Sequence, residues 1–370
     1  MLHPSISFAR IIQQQLVSPK FSAIKDIVRH MGAMQAQDAY AAQFAIASRL
    51  NKRVKEIDIE KAYAAREIVR TWLFRGTLHV CAPEDVYWML ALAKERLWKT
   101  MQTQWRNAGL DEKTMAGALA SIKKLLKGGQ QVPRKQILEM LTAKGIDVSN
   151  HRGTYILNRA AYEGLICFGP KSGKDFTFVL LEEWIPKPKP IPRKRAVEML
   201  FNRYIESRGP ATLKDFAAWS GLTLTEIRTA VKNIEEHTIN DQAYIFPKNY
   251  VLPAKGKHPV LLLPAFDEFL LGYGDRTVSI KADYEKEVYK SLNGIFSYIV
   301  VMKSAVVGIW KRTLTNKNVT IHIDLFEPIN ATQTKELQNA AKQYGEFLSL
   351  PSTIHIQQKK AVSTLRDGTK

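Results

Sequence analysis

Two glutamines one residue apart, Gln35 and Gln37, are the residues whose types and spacing point most directly to chemistry. An amide is neither acid, base nor nucleophile at neutral pH, but it carries two donors on nitrogen and two acceptor lone pairs on oxygen. A pair of amides can therefore hold a water molecule and aim it. Gln-x-Gln alone occurs by chance in many chains. Here it stands in a 370-residue chain of formal net charge +19 that repeats a helix-turn-helix pattern. That setting implies a site beside a polyanion that needs water placed rather than deprotonated.

The excess of 54 Lys and Arg over 35 Asp and Glu favours nucleic acid as partner, because each neutralised phosphate releases counterions. With 45% hydrophobic and 24% charged residues, the composition is that of an ordinary globular protein, long enough for roughly two to four domains. Cys81 and Cys167 are the only cysteines, which excludes a disulfide framework and a cysteine zinc site. The eight histidines show no ligand spacing, so neither metal nor cofactor is expected. Residues 1–16 contain Arg10 and three glutamines, unlike a signal peptide. No apolar run approaches the roughly 18 residues of a membrane helix. The expectation is a cytoplasmic monomer, associated with the nucleoid through DNA.

The elements that must position the glutamines begin with an amphipathic helix over residues 22–31, where Ile24, Ile27, Val28 and Met31 repeat at helical spacing. Gly32 loosens its end, and Asp38 is placed to N-cap a second helix through Leu50. Gln35 and Gln37 then fall on the short connection. A third helix is expected over 57–67 and a β-hairpin over 69–80, turning near Arg75-Gly76. Three helices and a basic hairpin spell a winged helix.

A helical stretch over 83–127 leads to Gly128-Gly129, and Val132-Pro133-Arg134 opens a helix through Lys144. Ser149 is the expected cap of a helix over 150–163, burying Tyr155, Leu157, Ala161 and Tyr162 and showing His151, Arg152, Asn158 and Arg159. A hairpin over 165–168 and 176–181 completes a second winged helix. Alternating prolines make 186–195 a stiff, extended linker. Beyond it come helices at 196–208, after Thr212 with Asp215 (a loose capping box), and after Thr223 with Glu226 (the better box, running to Glu236). With a short wing over 244–251 they form a third winged helix. Strand-like runs at 260–263, 294–303, 305–312, 319–325 and 353–357, with a helix at 331–347, predict a closed or half-closed barrel. The fold class is α+β: three tandem winged-helix modules with a β-rich, barrel-like C-terminal domain. The boundaries are 1–127, 128–185, the linker 186–195, 196–255, 256–358 and a polar tail 359–370.

Three dispersed segments carry a resemblance. Met34-Gln35-Ala36-Gln37-Asp38-Ala39-Tyr40, Arg70-Thr71-Trp72-Leu73-Phe74-Arg75-Gly76-Thr77-Leu78-His79 and Pro264-Ala265-Phe266-Asp267-Glu268-Phe269-Leu270-Leu271-Gly272-Tyr273-Gly274-Asp275-Arg276 resemble signatures of the AlkZ-like winged-helix DNA glycosylases. Gly294-Ile295-Phe296 and Val307-Gly308-Ile309-Trp310 resemble further landmarks, and the likeness spans residues 5–357. It implies tandem winged helices around a β-barrel and a catalytic Gln-x-Gln that falls on Gln35 and Gln37. Another branch carries Gln-x-Asp, so this chain resembles the crosslink-unhooking branch more.

The chemistry fits that implication. Cleavage of an N-glycosidic bond passes through an oxocarbenium-like sugar attacked by water at C1′. A purine alkylated at N7 or N3 is already cationic and departs neutral, so positioning and electrostatics suffice. The implied enzyme is a monofunctional DNA glycosylase acting on duplex DNA, with Gln35 and Gln37 holding the water. Asp38 is either a plain N-cap or a carboxylate polarising that water. Asp267 and Glu268 are either paired acids or a buried network with Arg276. Arg75 and His79 on the first hairpin lead the candidates for DNA contact, with Arg70, Asn150, Arg152 and Arg159 behind them. Trp72 and Trp105 are candidates for stacking on bases. The competing reading is a non-catalytic winged-helix DNA-binding protein or transcription regulator, in which the two amides merely bridge helices.

Overall fold

The two basic hairpins form, but their strands join a single sheet. The computed structural model of this chain describes residues 3–248, 250, 258–290 and 294–358. Its first six strands are β1 (Ala33–Gln35), β2 (Val69–Trp72), β3 (Leu78–Cys81), β4 (Val132–Pro133), β5 (Ile166–Ser172) and β6 (Asp175–Leu180). They pair in the order β1-β3-β2-β5-β6-β4, and the Arg70–Phe168 pair stitches the first hairpin to the second. Gly32, at φ 73°, ends the helix Ile24–Met31 in a conformation that suits a residue without Cβ. The chain then runs straight into β1. Gln35 is therefore the last residue of a strand, not part of a loose connection.

Asp38 caps the helix Ala39–Ala47 as expected, accepting the N–H groups of Tyr40 and Ala41 at 3.0 and 3.1 Å. The third helix of this unit spans Glu56–Ala64. The long basic stretch resolves into helices Val86–Asn107 and Glu112–Leu126, followed by Arg134–Ala143 and Arg152–Tyr162. The last of these starts after two left-handed residues, Asn150 (φ 47°) and His151 (φ 69°), so His151 and not Ser149 holds the N-cap position. Extended chain ends at Pro192, and Arg193 to Arg195 form the first turn of the helix Arg193–Arg208. Proline suits a helix start because the N–H it lacks would be unpaired there anyway.

Leu213–Ser220 and Leu224–Ala230 follow. Thr212 and Asp215 make the complete reciprocal box, whereas Thr223 caps Glu226 without a return bond, the reverse of the order expected. The helix after Thr223 stops at Ala230. The third hairpin pairs β7 (His237–Ile239) with β8 (Gln242–Tyr244), so it lies ahead of the wing placed at 244–251, where Ile245 bridges to Ala211 and only residues 249 and 251 lie outside the described residues.

In the C-terminal part, β9 (Leu261–Leu263) is followed by the small pair β10 (Tyr289–Lys290) and β11 (Ile295–Phe296). Next come β12 (Tyr298–Met302), β13 (Ala305–Leu314), β14 (Val319–Leu325) and β15 (Ser352–Gln358). The main sheet is open, in the order β15-β14-β13-β12-β9, so the barrel expected from the strand spacing does not form. The reason lies in what covers its two faces. The helix Ala331–Leu348 crosses back to make β15 parallel to β14 and lays Leu337, Ala341 and Tyr344 into the core with Ile321 and Trp310. On the other side Ile299, Val301 and Val306 pack with Ile11, Leu16, Phe269 and Leu270. A sheet covered on both faces has no apolar surface left for curling to bury. The tail 359–370 lies outside the described residues.

The cores cross the sequence boundaries. Ile27, Val28, Ile46 and Ile59 of the first helices share a core with Val300, Trp310 and Tyr344. A second core runs from Ala33 and Leu73 through Ile156 to Trp219. Among the described residues no helix is long and apolar enough to cross a membrane.

Candidate active site

Gln35 ends β1 and Gln37 lies two residues past it in a bend, and the amides of both reach the tip of the β2–β3 hairpin, at Thr77 and Leu78. In register, Gln35 stands opposite His79, and His79 opposite Thr71, so the three form a row across β1, β3 and β2. The N–H of Ala36 donates to the Leu78 carbonyl at 2.7 Å, and the Leu78 N–H reaches Gln37 Oε1 at 3.4 Å. Gln35 is 7% exposed, whereas Gln37 is open to solvent. Thr77 Oγ1, just past the hairpin tip, lies 3.0 Å from Gln35 Oε1.

Among the described residues β1 has one neighbouring strand, β3, and an ion pair satisfies its other edge. Glu268 opens the short helix Glu268–Leu271; its Oε1 accepts the Gln35 N–H at 2.8 Å. Its Oε2 accepts Arg208 Nε and Nη2 at 3.0 and 2.8 Å and Trp219 Nε1 at 3.1 Å. Arg208 donates onward to the carbonyls of Met31 and Ala33, at 2.6 and 2.7 Å. Both side chains are buried. Residues 31, 33 and 35 turn their backbone groups the same way, and this clamp meets all three. The third helical unit and the C-terminal part thus meet at the glutamine strand.

The adjacent Asp267 caps the same short helix through the Phe269 N–H and takes both Nη atoms of Arg49, at 2.7 and 2.8 Å. The buried network foreseen for Asp267 and Glu268 exists, but its cations are Arg49 and Arg208. Arg276 instead donates to the Leu270 carbonyl at 2.9 Å. Asp38, half-buried, keeps its capping bonds and also accepts the Tyr298 hydroxyl at 3.3 Å. Among the described residues no group of three or more His, Cys, Asp or Glu is placed to hold a metal ion.

The residues named for DNA contact separate into two sets. Arg75 sits at the hairpin tip with a left-handed backbone, φ 58°, which is uncommon away from glycine. Its side chain is exposed, yet it stands in a recess walled by Phe74, Arg96, Gly221 and Leu222. That crowding lowers its pKa through desolvation, although Glu268 pulls the other way. Asn150 is exposed on the left-handed turn before its helix. Arg152, partly buried, bonds the Ala108 carbonyl at 2.6 Å and Asp147 at 2.7 Å.

Other side chains expected at the surface are inside. His79 is fully buried, with Nδ1 3.0 Å from the Thr77 carbonyl. Its pKa is pushed down to about 3, first by burial and then by the Arg75 charge, so the ring is neutral. A carbonyl oxygen only accepts, which puts the proton on Nδ1 and leaves Nε2 as a buried acceptor. Arg70 lies on the opposite face of the sheet from the glutamine side chains, over the rings of Phe168 and Phe176, and donates to the Ala36 carbonyl at 3.1 Å. Arg159 stacks 3.6 Å from the Trp98 ring centre and pairs with Glu112 and Glu163. Asn158, Trp72 and Trp105 are buried as well. In each case packing within the protein claims a side chain that the sequence suggested would face outward.

With this sheet and its surrounding helical units in view, the sequence over residues 28–347 matches the family model of the AlkZ-like DNA glycosylases. The chain belongs to this family and is by class a hydrolase of N-glycosyl bonds. The interstrand DNA cross-link repair glycosylase of Streptomyces sahachiroi is 26% identical over 365 residues, covering 91% of this chain and 95% of that protein. The solved structure of Streptomyces sahachiroi DNA glycosylase AlkZ shares the fold, with a TM-score of 0.79 at 20% identity, covering 96% of this chain and 100% of that one.

Proposed function

We propose that this glycosylase removes cationic alkylated purines, N7-alkylguanine and N3-alkyladenine, from duplex DNA, and that it unhooks interstrand crosslinks bridged through N7. Gln35 and Gln37 hold the attacking water, and the Gln35 carbonyl faces the positive charge that grows on the sugar. The observation that carries this reading is that, among the described residues, the carboxylates nearest the pair are already engaged in hydrogen bonds. Glu268 is consumed by Arg208, Trp219 and the Gln35 N–H, and Asp38 caps a helix. With no evident acid to protonate a departing base, the base must bring its own charge. Cross-link repair by the Streptomyces relative supports the extension to bridged lesions. Arg75, Asn150 and Arg152 meet phosphate, while Arg70, His79 and Arg159 serve from inside.

The test compares duplexes bearing one N7-methylguanine or one uracil, with and without borohydride. The expected result is an intact abasic site from methylguanine, an untouched uracil duplex and no trapped adduct, because water and not an amine attacks C1′. Efficient uracil release, or a borohydride-trapped protein–DNA adduct, would overturn the mechanism.

A further inference from the structure

An amide's two ends fill nearly the same envelope, and the surrounding hydrogen bonds decide which end points where. For Gln35 that decision falls to one hydroxyl. Thr77 Oγ1 lies 3.0 Å from Gln35 Oε1 and 3.2 Å from the Phe74 carbonyl oxygen. A threonine has one hydroxyl proton, so it serves only one of these two oxygens. If it serves the glutamine, the Phe74 oxygen, which the Thr77 N–H already reaches at 3.2 Å, faces a bare hydroxyl lone pair. If the amide is turned over, its NH₂ donates to Thr77 Oγ1 and the hydroxyl donates to Phe74. That second arrangement makes one more hydrogen bond and removes the facing lone pairs.

We propose that Thr77 is a positioning residue for the hydrolysis, its hydroxyl relaying to Phe74 and fixing the Gln35 amide with nitrogen inward and carbonyl oxygen toward the substrate. The proposal rests on the catalytic reading of Gln35 above. It gives that reading its electrostatic sign, because only the carbonyl end both accepts a water proton and faces a cationic sugar favourably. The amide end away from Thr77 has no partner among the described residues, so its orientation is set at Thr77 alone. Gln37 is held differently: the Leu78 N–H approaches its oxygen at 3.4 Å, which turns its NH₂ outward. The pair then offers one acceptor and one donor, enough to orient a single water.

The backbone of Thr77 closes the hairpin tip without help from the hydroxyl, through Leu73 N–H to Thr77 O at 3.0 Å and Thr77 N–H to Phe74 O. Thr77→Val therefore keeps shape and turn while deleting the relay, Thr77→Ser keeps the relay, and Thr77→Ala provides a second deletion should valine fit poorly. The readout is the single-turnover rate on N7-methylguanine duplex together with the Kd for that duplex. Losing one orienting hydrogen bond is expected to slow Thr77→Val and Thr77→Ala by roughly 3- to 30-fold at unchanged Kd. Thr77→Ser should restore the rate, and adding Thr77→Val to Gln35→Ala should slow that variant no further. Rates for both deletions within about twofold of the parent would overturn the proposal, as would a serine variant as slow as valine. Additive loss in the double variant would overturn it too. A parental rate for Gln35→Ala alone would instead remove the catalytic reading on which it rests.

Discussion

Replacing Glu268 with glutamine tests whether the clamp on β1 is what holds the glutamine strand. The substitution keeps the size of the side chain but removes its charge, leaving the Arg208 guanidinium buried without a counter-ion. Breaking a buried pair from one side costs about 3–5 kcal/mol. The new NH₂ adds a donor where Arg208, Trp219 and the Gln35 N–H already donate. The expected loss is thus at the upper end of that range, read by urea denaturation followed through tryptophan fluorescence, with Trp219 itself in the network. Glu268→Met with Arg208→Met separates the ion pair from the strand edge. Apolar replacement of a buried pair is often neutral, but here it strands the Gln35 N–H and the Met31 and Ala33 carbonyls, each worth about 1–3 kcal/mol when left unpaired. The double variant should therefore remain well below the parent. A loss under about 1 kcal/mol for Glu268→Gln, the scale of a surface pair, would refute the reasoning, as would parental stability for the double methionine variant.

His79 gives a pH signature. Its folded pKa of about 3 lies below the free value, so the unfolded chain takes up a proton that the native state refuses. Its contribution is complete above about pH 6.5 and is lost as pH falls toward 3. Between pH 6.5 and 5.0 the parent should lose stability, on the order of 1–2 kcal/mol, that His79→Leu does not, read by urea denaturation; His30, also shifted down by burial, is common to both proteins and cancels. Equal losses would place His79 in contact with solvent. Asp38→Asn preserves an N-cap acceptor and should change stability by only a few tenths of a kcal/mol, with cleavage retained; abolished cleavage in a folded protein would move water activation to the carboxylate. Arg75→Glu should weaken duplex binding and lower the slope of log K against log salt by about one or more, a change absent from Lys359→Glu.

What could be read from the sequence was mostly local. Asp38 was legible as an N-cap because a short carboxylate before an alanine-rich helix has one obvious use. The strands from Ala305–Leu314 onward were legible because they alternate. β1 was not, since three residues carry no period and become a strand only by pairing with Leu78–Cys81 far along the chain. Sheet closure was misjudged because strand spacing does not say what covers the faces. Glu268 was noticed, but its partner was sought at Arg276, eight positions on, rather than at Arg208 on another helix. Arg159 and His79 looked like surface residues because their polarity is visible in the sequence, whereas Trp98, Glu112 and the tight tip beside Thr77 are supplied by folding.

The Glu268 bond to Gln35 spans 233 positions of chain. During synthesis, Gln35 and Gln37 emerge long before the carboxylate that finishes their strand. Contacts of such separation form late, after much chain entropy has been lost. Until Glu268 and Arg208 arrive, β1 presents a bare edge able to pair with a neighbouring nascent chain. Completion of the glutamine strand is thus a late event of folding: a product cut short before Glu268 contains both glutamines and the basic hairpins, yet lacks the carboxylate that pairs the Gln35 N–H. Such fragments should self-associate through that edge, so the chain must be made past Glu268 before the glutamine strand is closed.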